Sequence, residues 1–420
     1  MIKFSRGGFM EEEIENVIIE RITNRQEKLN EEILKEIGEI LGKIGNLTPS
    51  EAYTIGQQLK YGESLDKIVA LISKYSNINE VEIYKMLENE AKTNLAFSEK
   101  YFKAKSIDFI PYEQNIPLQN KVREIAIATI NEYRNISRTT GLTFLDNANN
   151  RLTKTIQEAY YEIVDNAIND VAMGKETFFE GLKRQLKTIG RSGVQSIEYE
   201  SGYHRRIDSA LRMNLQDGLN ALSIAQQEIM GQQFGNDGWE VTVHENPAPD
   251  HKDLQGHIFN VEEFNKLQDY DYIGQIKDVN GRIYERTGGE HIRPIGELNC
   301  YHQAFAIVLG VDDPRYSQKE LDKINEQNEK GFEFEGKHFT NYEGTQLQRK
   351  IETQLRSLRE EEQTLKSAKS SVTDEEGKKS IEEAILSNKN KQQQFILKYH
   401  ELSKISGLKT KLERTRQLVK

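Results

Sequence analysis

Proline is scarce in this chain, with seven residues among 420, and apolar residues are also few, at 36% of the composition. Proline in a helix interior costs roughly 3 kcal/mol, so its scarcity favours long uninterrupted helices. An average globular domain is roughly 45–50% apolar and roughly 25% charged, whereas this chain is 30% charged. A small core with a large charged surface is typical of extended helical proteins, and we therefore predict a mostly α fold.

Cysteine occurs once, at Cys300, so the chain cannot form a disulfide within itself. A chain without disulfides fits a reducing compartment. No apolar run approaches the roughly 20 residues that span a bilayer, and the first residues lack a signal-peptide pattern. We therefore expect a protein that folds in a cytoplasm and has no membrane span.

Positive charge is in the minority, and the net charge of −10 gives no overall sign of nucleic-acid binding. The end of the chain differs, because residues 386–420 contain nine basic and two acidic residues. Such a segment can attract a phosphate backbone, although basic runs are more often solvated helix faces. The candidates for a nucleic-acid contact are Lys404, Lys409, Lys411, Arg414 and Arg416.

Apolar residues recur at helical spacing along most of the chain. The exception is a stretch that holds the only tryptophan, the only cysteine, four of the seven prolines and five of the eight histidines. We predict long helices flanking a small α+β module, with a C-terminal antiparallel helical hairpin. The predicted regions are an N-terminal helical region (1–110), a central helical region (118–235), the Cys/His-containing α+β module (239–316) and a C-terminal helical hairpin region (317–420).

Capping residues and periodicity predict individual boundaries. Asn79 predicts a helix start, and the apolar spacing predicts helices over 151–173 and 193–231. Ser317 and Thr373 each open a capping-box pattern, with glutamate three residues later. In the module, alternation from Trp239 predicts a strand, and an Asn-Gly pair at 280–281 predicts a hairpin.

The module also carries the residues that best suit a metal ion. Thiolate and imidazole are the usual ligands of structural zinc. A Cys-x-His pair, Cys300 and His302, follows His251 by about 50 residues, and His244 or Asp250 would complete a tetrahedron. The zinc candidates are therefore His251, Cys300, His302 and His244.

Other interpretations of these residues stay open. A lone buried cysteine is usually a small apolar residue, and a histidine beside a proline-rich turn usually bonds to backbone. Cys300 and His302 also suggest a nucleophilic pair, and Asp250 with His251 suggests a metal-dependent nuclease. The chain contains no P-loop, no G-x-G-x-x-G, no H-E-x-x-H and no G-x-S-x-G pattern. We therefore expect a protein that is not an enzyme.

A series of short blocks in and after the module forms a recognisable pattern. The blocks are His244, Ala248, His251, Gln255-Gly256, Asn299-Cys300-x-His302, Gly310-Val311, Pro314, Tyr316, Gly336-Lys337, Tyr342-Glu343 and Gln346 to Arg349. In order and spacing, over about residues 200–360, they resemble the pattern of the phage minor capsid protein 2 family, which is related to the wider group of phage head-morphogenesis proteins. Pro249 and Tyr301 depart from the pattern where it has an arginine.

The resemblance implies a structural, low-copy head protein of a tailed bacteriophage, associated with the portal and acting in head assembly or genome delivery. It implies the phage portal or other head proteins as partners, with DNA as a further partner of the C-terminal tail. The implied location is the virion, after assembly in the host bacterial cytoplasm. Two alternatives remain: a metal-dependent hydrolase or nuclease centred on residues 239–316, and a DNA-binding protein acting through the basic C-terminus.

Overall fold

A computed structural model describes residues 8–47, 63–145, 151–172, 178–197, 204–244, 246–286, 293–297, 300–311 and 314–411. Helices dominate these ranges, and the strands form four small sheets, which confirms the predicted mostly α fold with a small α+β module. None of the helices in the described ranges is long and apolar enough to cross a membrane.

The elements up to residue 234 are mostly helical. In chain order they are α1 (Gly8–Ile44), α2 (Glu63–Lys105), a 3-10 turn (Tyr112–Gln114), α3 (Ile116–Arg138), β1 (Thr140–Leu145), β2 (Arg151–Thr155), α4 (Ile156–Ala172), α5 (Phe178–Ser192), β3 (Val194–Ile197), β4 (His204–Arg206) and α6 (Ile207–Phe234).

The elements after residue 234 begin with short strands and end with two long helices. In chain order they are β5 (Gly238–Val241), β6 (Ile258–Asn260), α7 (Val261–Gln268), β7 (Gly274–Lys277), β8 (Ile283–Arg286), β9 (Ala304–Ile307), α8 (Gln318–Lys330), β10 (Phe332–Phe334), β11 (Lys337–Phe339), α9 (Asn341–Ser371) and α10 (Glu375–Ser406).

The chain divides into two compact units, each assembled from three segments that are distant in sequence. Unit 1 comprises Met1–Ile22, Glu80–Tyr133 and Arg212–Glu343, and unit 2 comprises Thr23–Asn79, Arg134–Leu211 and Gly344–Lys420. The four regions predicted from sequence follow the chain instead, and that division stays a prediction.

Unit 2 has an apolar core to which helices and one sheet contribute. The sheet has four antiparallel strands in the order β2-β1-β3-β4. Helix α1 contributes one apolar face because its isoleucines and leucines recur every three or four residues. Buried members of this core include Ile33, Ile37 and Leu41 of α1, Leu142 of β1, Tyr160 of α4, and Leu365 and Ile381 of the last two helices.

Two glycines allow α1 to lie directly against the backbone of α9. A Cβ atom built on Gly38 would lie 2.6 Å from the backbone oxygen of Thr364, and one built on Gly42 would clash with the backbone oxygen of Ala368. The approach is close enough for Ser367 Oγ to donate a hydrogen bond to Lys35 O at 2.7 Å. Small residues at these positions therefore set the separation of the two helices.

Helices α9 and α10 form the antiparallel hairpin that the sequence predicts. Their contacts pair residues early in α9 with residues late in α10, and the reverse. The polar pairs are Gln348 Nε2 with Ser403 Oγ at 3.0 Å, Tyr399 Oη with Glu352 Oε1 at 2.9 Å, Gln392 Nε2 with Glu362 Oε2 at 2.7 Å, and Lys369 Nζ with Glu382 Oε1 at 3.1 Å.

Four charged side chains are buried together in unit 2. Arg206 Nη2 lies 2.7 Å from Glu360 Oε1, and Arg206 Nε lies 3.2 Å from Asp208 Oδ1. Arg356 Nε lies 3.1 Å from Asp208 Oδ2. Burial disfavours the charge of Arg206, but Glu360 and Asp208 outweigh it and raise the pKa of the guanidinium above its ordinary value. Glu27, which is also buried, attracts Arg206 more weakly. Within the cluster itself the two guanidiniums balance the two carboxylates, and such pairing offsets the cost of burying charge.

Unit 1 contains a three-stranded antiparallel sheet in the order β6-β5-β9. Trp239 on the central strand stacks on Phe264 of α7, with ring centroids 4.6 Å apart. The predicted hairpin is present as β7 and β8, and its turn contains Gly281 at φ +88°. Helix α6 is tied to the sheet where Gln227 Oε1 accepts from Ala306 N at 3.3 Å.

Two predicted helices begin later than expected. The prediction over 151–173 is wrong at its start, because β2 occupies Arg151–Thr155, and the prediction over 193–231 is wrong because β3 and β4 precede α6. Residues 198–203 lie outside the described ranges. Gly193 takes φ +59° where α5 ends, and Val194 then pairs with Leu142 of β1. Pairing with β1 thus overrides local helical spacing.

The capping predictions have mixed outcomes. The predicted helix start at Asn79 is wrong, because α2 runs through this residue and Asn79 Oδ1 accepts from Arg25 Nη1 at 2.7 Å. At α10 the cap is Asp374 rather than Thr373, which bonds to Asn46 Oδ1 instead. The capping box at Ser317 is confirmed.

Candidate metal centre

Three segments of unit 1 meet at one end of the β6-β5-β9 sheet. Hydrogen bonding between β5 and β9 continues beyond the last strand pair, since Thr242 N donates to Gln303 O at 2.9 Å. On the other side of β5, Gly256 N donates to Val241 O at 3.0 Å. These bonds bring the residues after β5, the turn before β6 and the residues before β9 to one place.

The turn before β6 presents two side chains to the same side. Lys252 N donates to Ala248 O, and Gln255 N donates to His251 O at 3.1 Å, so the segment makes a single helical turn. Residues four apart on such a turn are neighbours. Gly256 follows at φ +72°, which ends the turn. His251 and Gln255 therefore point together towards the residues before β9.

Cys300 lies at the centre of the cluster. Its Sγ is 3.2 Å from His251 Nδ1 and 3.4 Å from His302 Nδ1. One ligand atom from each residue lies within 4.8 Å of the other two. The exposed fractions are 1% for His251, 2% for Cys300 and 3% for His302. Three of the four zinc candidates marked by the sequence are thus brought together in a closed interior site.

The remaining ring nitrogens have partners that fix the tautomers. His251 Nε2 lies 2.7 Å from Arg293 O, and a carbonyl oxygen only accepts, so this nitrogen donates. His302 Nε2 lies 3.4 Å from Gln255 Oε1, which also accepts from His244 N at 2.8 Å. Both neutral rings then present the lone pair of Nδ1 towards Cys300 Sγ.

His244 stands beside this trio. Its ring centroid is 4.3 Å from that of His302, and its side chain is partly exposed at the edge of the cluster. Its Nε2 atom is nevertheless buried and makes no hydrogen bond within the described part of the chain. An unsatisfied buried nitrogen costs about 1–3 kcal/mol, so this atom is a candidate ligand beside the trio.

An ion pair holds the outer side of the cluster. Asp250 accepts from Arg293 Nε at 2.8 Å and from Arg293 Nη2 at 2.9 Å, a two-pronged arrangement. His251 Nε2 lies 3.7 Å from Asp250 Oδ2. Both carboxylate oxygens of Asp250 thus accept hydrogen bonds from Arg293. Asp250 approaches His251 on its Nε2 side, away from Cys300, and is therefore not one of the candidate ligands.

Burial controls the charge state of the cluster. It lowers the pKa of His244 to about 4 and lowers the pKa of His251, although Asp250 opposes the second shift. Burial, aided by the neighbouring His244 and His251, lowers the pKa of His302 well below its usual range. Burial also raises the pKa of the Cys300 thiol. The imidazoles are therefore neutral at pH 7, which is the form that binds metals.

Two residues of this site were not selected from the sequence. Gln255 joins His244 to His302, and its only sequence signal is the Gln-Gly block of the family pattern. Arg293 lies 43 residues from Asp250 and contacts both it and His251. Arg293 supports His251 through its backbone carbonyl oxygen, and every residue has such a group, so no sequence pattern could have identified it.

The other histidines differ in setting. His257 is buried against Asp278 at 2.8 Å, outside the cluster. His338 and His400 are exposed on β11 and α10. Of the nucleic-acid candidates, Lys404, Lys409 and Lys411 are exposed at the end of the hairpin, whereas Arg414 and Arg416 lie outside the described residues.

The cluster does not have the form of a nucleophilic site. Cys300 and His302 are within pairing distance, but both are almost fully buried and burial raises the pKa of the thiol. Reactive cysteines instead have a lowered pKa and partial exposure. A macromolecular substrate has no access to the Sγ atom, so the arrangement favours a structural role.

Comparison with family models identifies the family of the chain. A family model described as phage minor capsid protein 2 matches residues 16–397 of the chain. No curated protein and no solved structure matches it. The matched range spans both units and includes all four zinc candidates. The chain belongs to the phage minor capsid protein 2 family.

Proposed function

We propose that this chain is a portal-associated protein of the phage head that acts in head assembly or genome delivery, without catalytic turnover of its own. Its family membership makes it a structural protein of the phage capsid. The observation that carries the proposal is the extent of the match, residues 16–397. The matched range covers most of both units, which supports a structural role for each of them.

The form of the helices supports a role in spanning and docking. At about 1.5 Å per residue, α1 with its 37 residues is about 55 Å long, and α2 with its 43 residues is about 65 Å long. Their exposed faces carry charged side chains, and several ion pairs link neighbouring turns. Long polar helices of this kind suit contact with large neighbouring proteins.

Cross-linking in assembled particles tests the portal association. Photoreactive residues are placed at Leu386 and Leu397, two side chains of α10 that are 61% and 60% exposed. The matched control is Ile273, which is 68% exposed before β7. We expect the protein in purified virions at low copy number, with cross-links to the portal from at least one position. Absence from virions, or cross-links to the major capsid or tail proteins alone, would contradict the proposal.

A DNA contact at the C-terminus is a second proposed activity. After α10, Gln348 Nε2 donates to Lys409 O at 3.4 Å and Tyr399 Oη accepts from Lys411 N at 2.9 Å. These bonds hold the backbone of the basic segment against the hairpin, with Lys404, Lys409 and Lys411 exposed. Phe395 and Tyr399 are the phenyl rings of the basic stretch 386–420, and both fit the helix seam, where Tyr399 is buried against α9. With no ring left for base stacking, we expect attraction to the phosphate backbone without sequence choice.

Substitution tests the DNA contact better than truncation, because α10 continues to Ser406. Replacing Lys404, Lys409 and Lys411 with glutamine should weaken duplex binding and reduce the slope of log K against log salt by up to about 2.7. The control replaces three exposed lysines of α8 with glutamine, namely Lys319, Lys323 and Lys330. Equal binding by both variants, or none by the unaltered chain, excludes this contact.

A further inference from the structure

We propose that unit 1 holds one structural zinc ion, bound by His251 Nδ1, Cys300 Sγ and His302 Nδ1, with His244 Nε2 as the fourth ligand. The inference goes beyond the role in the phage head, since it concerns how the module is held together. It rests on the positions of donor atoms in the described residues and does not depend on which head protein the chain contacts.

The hydrogen-bonding capacity of the trio is the first argument. Two imidazole Nδ1 atoms approach the same sulfur, at 3.2 and 3.4 Å. Each Nδ1 presents a lone pair, because the Nε2 of each ring faces an acceptor oxygen. A thiol has one proton and can satisfy only one of the two nitrogens. A single cation at their centre satisfies both nitrogens and the sulfur together.

The outer contacts have the form that metal-binding histidines require. A ligating histidine almost always donates its other N–H to a carbonyl, carboxylate or similar acceptor, which fixes the ring. His251 has Arg293 O in this position, and His302 has Gln255 Oε1. Asp250 fixes Arg293 in turn through two hydrogen bonds. The supports for two ligands are thus already in place.

His244 supplies the independent observation. Its Nε2 is buried and makes no hydrogen bond among the described residues, although its ring packs against that of His302 at 4.3 Å. Its backbone N–H is fixed by the same Gln255 that supports His302. The ligand atoms that lie within 4.8 Å of one another belong to His251, Cys300 and His302, so the His244 side chain would have to turn for Nε2 to join them. Coordination would then satisfy the unpaired nitrogen.

The chemistry of the ligands selects zinc. Three imidazoles and one thiolate suit a tetrahedral ion that accepts nitrogen and sulfur, whereas Ca²⁺ and Mg²⁺ require oxygen. Four protein ligands, three of them almost fully buried, match structural zinc rather than catalytic zinc, which keeps a position open for water. The ion would join the residues after β5, the turn before β6 and the residues before β9.

Metal analysis of the unaltered full chain is the first test, and it needs no variant. We expect about one zinc per chain after dialysis against metal-free buffer. Replacement by Co²⁺ should give a thiolate-to-cobalt charge-transfer band in the near ultraviolet. Removal of the metal with a chelator should lower the thermal midpoint, and zinc should restore it. Substoichiometric zinc, no Co²⁺ band and a midpoint unaffected by chelator would overturn the proposal.

Variants then assign the ligands. Cys300→Ser should remove the charge-transfer band, and His251→Gln should reduce zinc retention at least tenfold. His338→Gln is the exposed control and His257→Gln is the buried control, and both should retain zinc. Gln255→Leu should weaken zinc binding about 10–100-fold, measured by competition with a chromophoric chelator, because it removes an outer support. Equal zinc retention by Cys300→Ser and the two controls would refute the assignment.

Discussion

The buried charge cluster of unit 2 permits a quantitative prediction. Arg206→Met removes one positive charge and leaves Glu360 and Asp208 facing a single guanidinium, that of Arg356. Removing one partner of a buried ion pair lowers the free energy of unfolding by about 3–5 kcal/mol, because the other partner stays buried without its counter-charge. For a unit of about 150–250 residues each kcal/mol shifts the melting temperature by about 2–4 °C. We therefore expect a decrease of roughly 6–20 °C.

The assay is thermal and urea unfolding followed by circular dichroism, with hydrogen exchange to locate the change in α6 and α9. Lys35→Met is the matched control, since it removes the same charge from an exposed pair with Glu39 and should cost less than about 1 kcal/mol. The double variant Arg206→Met/Glu360→Gln should cost less than the sum of its parts, because Asp208 and Arg356 remain as a neutral pair. A loss under about 1 kcal/mol for Arg206→Met, or strict additivity, would refute the reasoning.

Three further predictions concern packing, pH and the hairpin. Gly42→Val should destabilise unit 2 by at least about 1–3 kcal/mol in urea unfolding, because a Cβ there meets the α9 backbone, whereas exposed Lys43→Ala should have little effect. Burial lowers the pKa of His257, although Asp278 opposes the shift. The stability that the neutral, buried His257 contributes is therefore present above about pH 6.5, the pKa of an unfolded histidine, and is lost as the pH falls. Each proton that only the unfolded chain binds should lower the free energy of unfolding by about 1.4 kcal/mol for every unit by which the pH falls. His257→Gln should make this decrease less steep, and an unchanged dependence of unfolding free energy on pH would contradict the assignment. Tyr399→Phe removes hydrogen bonds to a buried α9 carboxylate and to the segment after α10, and hydrogen exchange of residues 407–411 should rise, with unchanged protection counting against the anchor.

The sequence predicts the elements whose signals are local. The α9–α10 hairpin follows from apolar residues at seam spacing, and its buried polar positions, Asn388 and Gln392, bond to each other at 2.6 Å. The Asn-Gly turn and the capping box at Ser317 depend on residues within four positions. Such features are specified before any tertiary contact forms.

The elements that sequence analysis missed depend on distant partners. Strands β2, β3 and β4 are short, and their pairing with β1 or with each other decides their conformation. Asn79 has the composition of a cap, but its partner is Arg25, 54 residues away. The same contrast holds at the metal centre. The residue types His, Cys and His indicate ligands, whereas the roles of Arg293 and Gln255 appear only after folding.

The stacked indole of the module has a practical consequence. Trp239 is the only tryptophan in the chain, it is 5% exposed, and it belongs to unit 1. When tryptophan is excited selectively over tyrosine, the fluorescence therefore reports on unit 1 alone, and no attached label is needed. Far-ultraviolet dichroism, by contrast, sums the helices of both units. Comparing the two signals along one denaturation curve distinguishes sequential from concerted unfolding in the native, unmodified polypeptide.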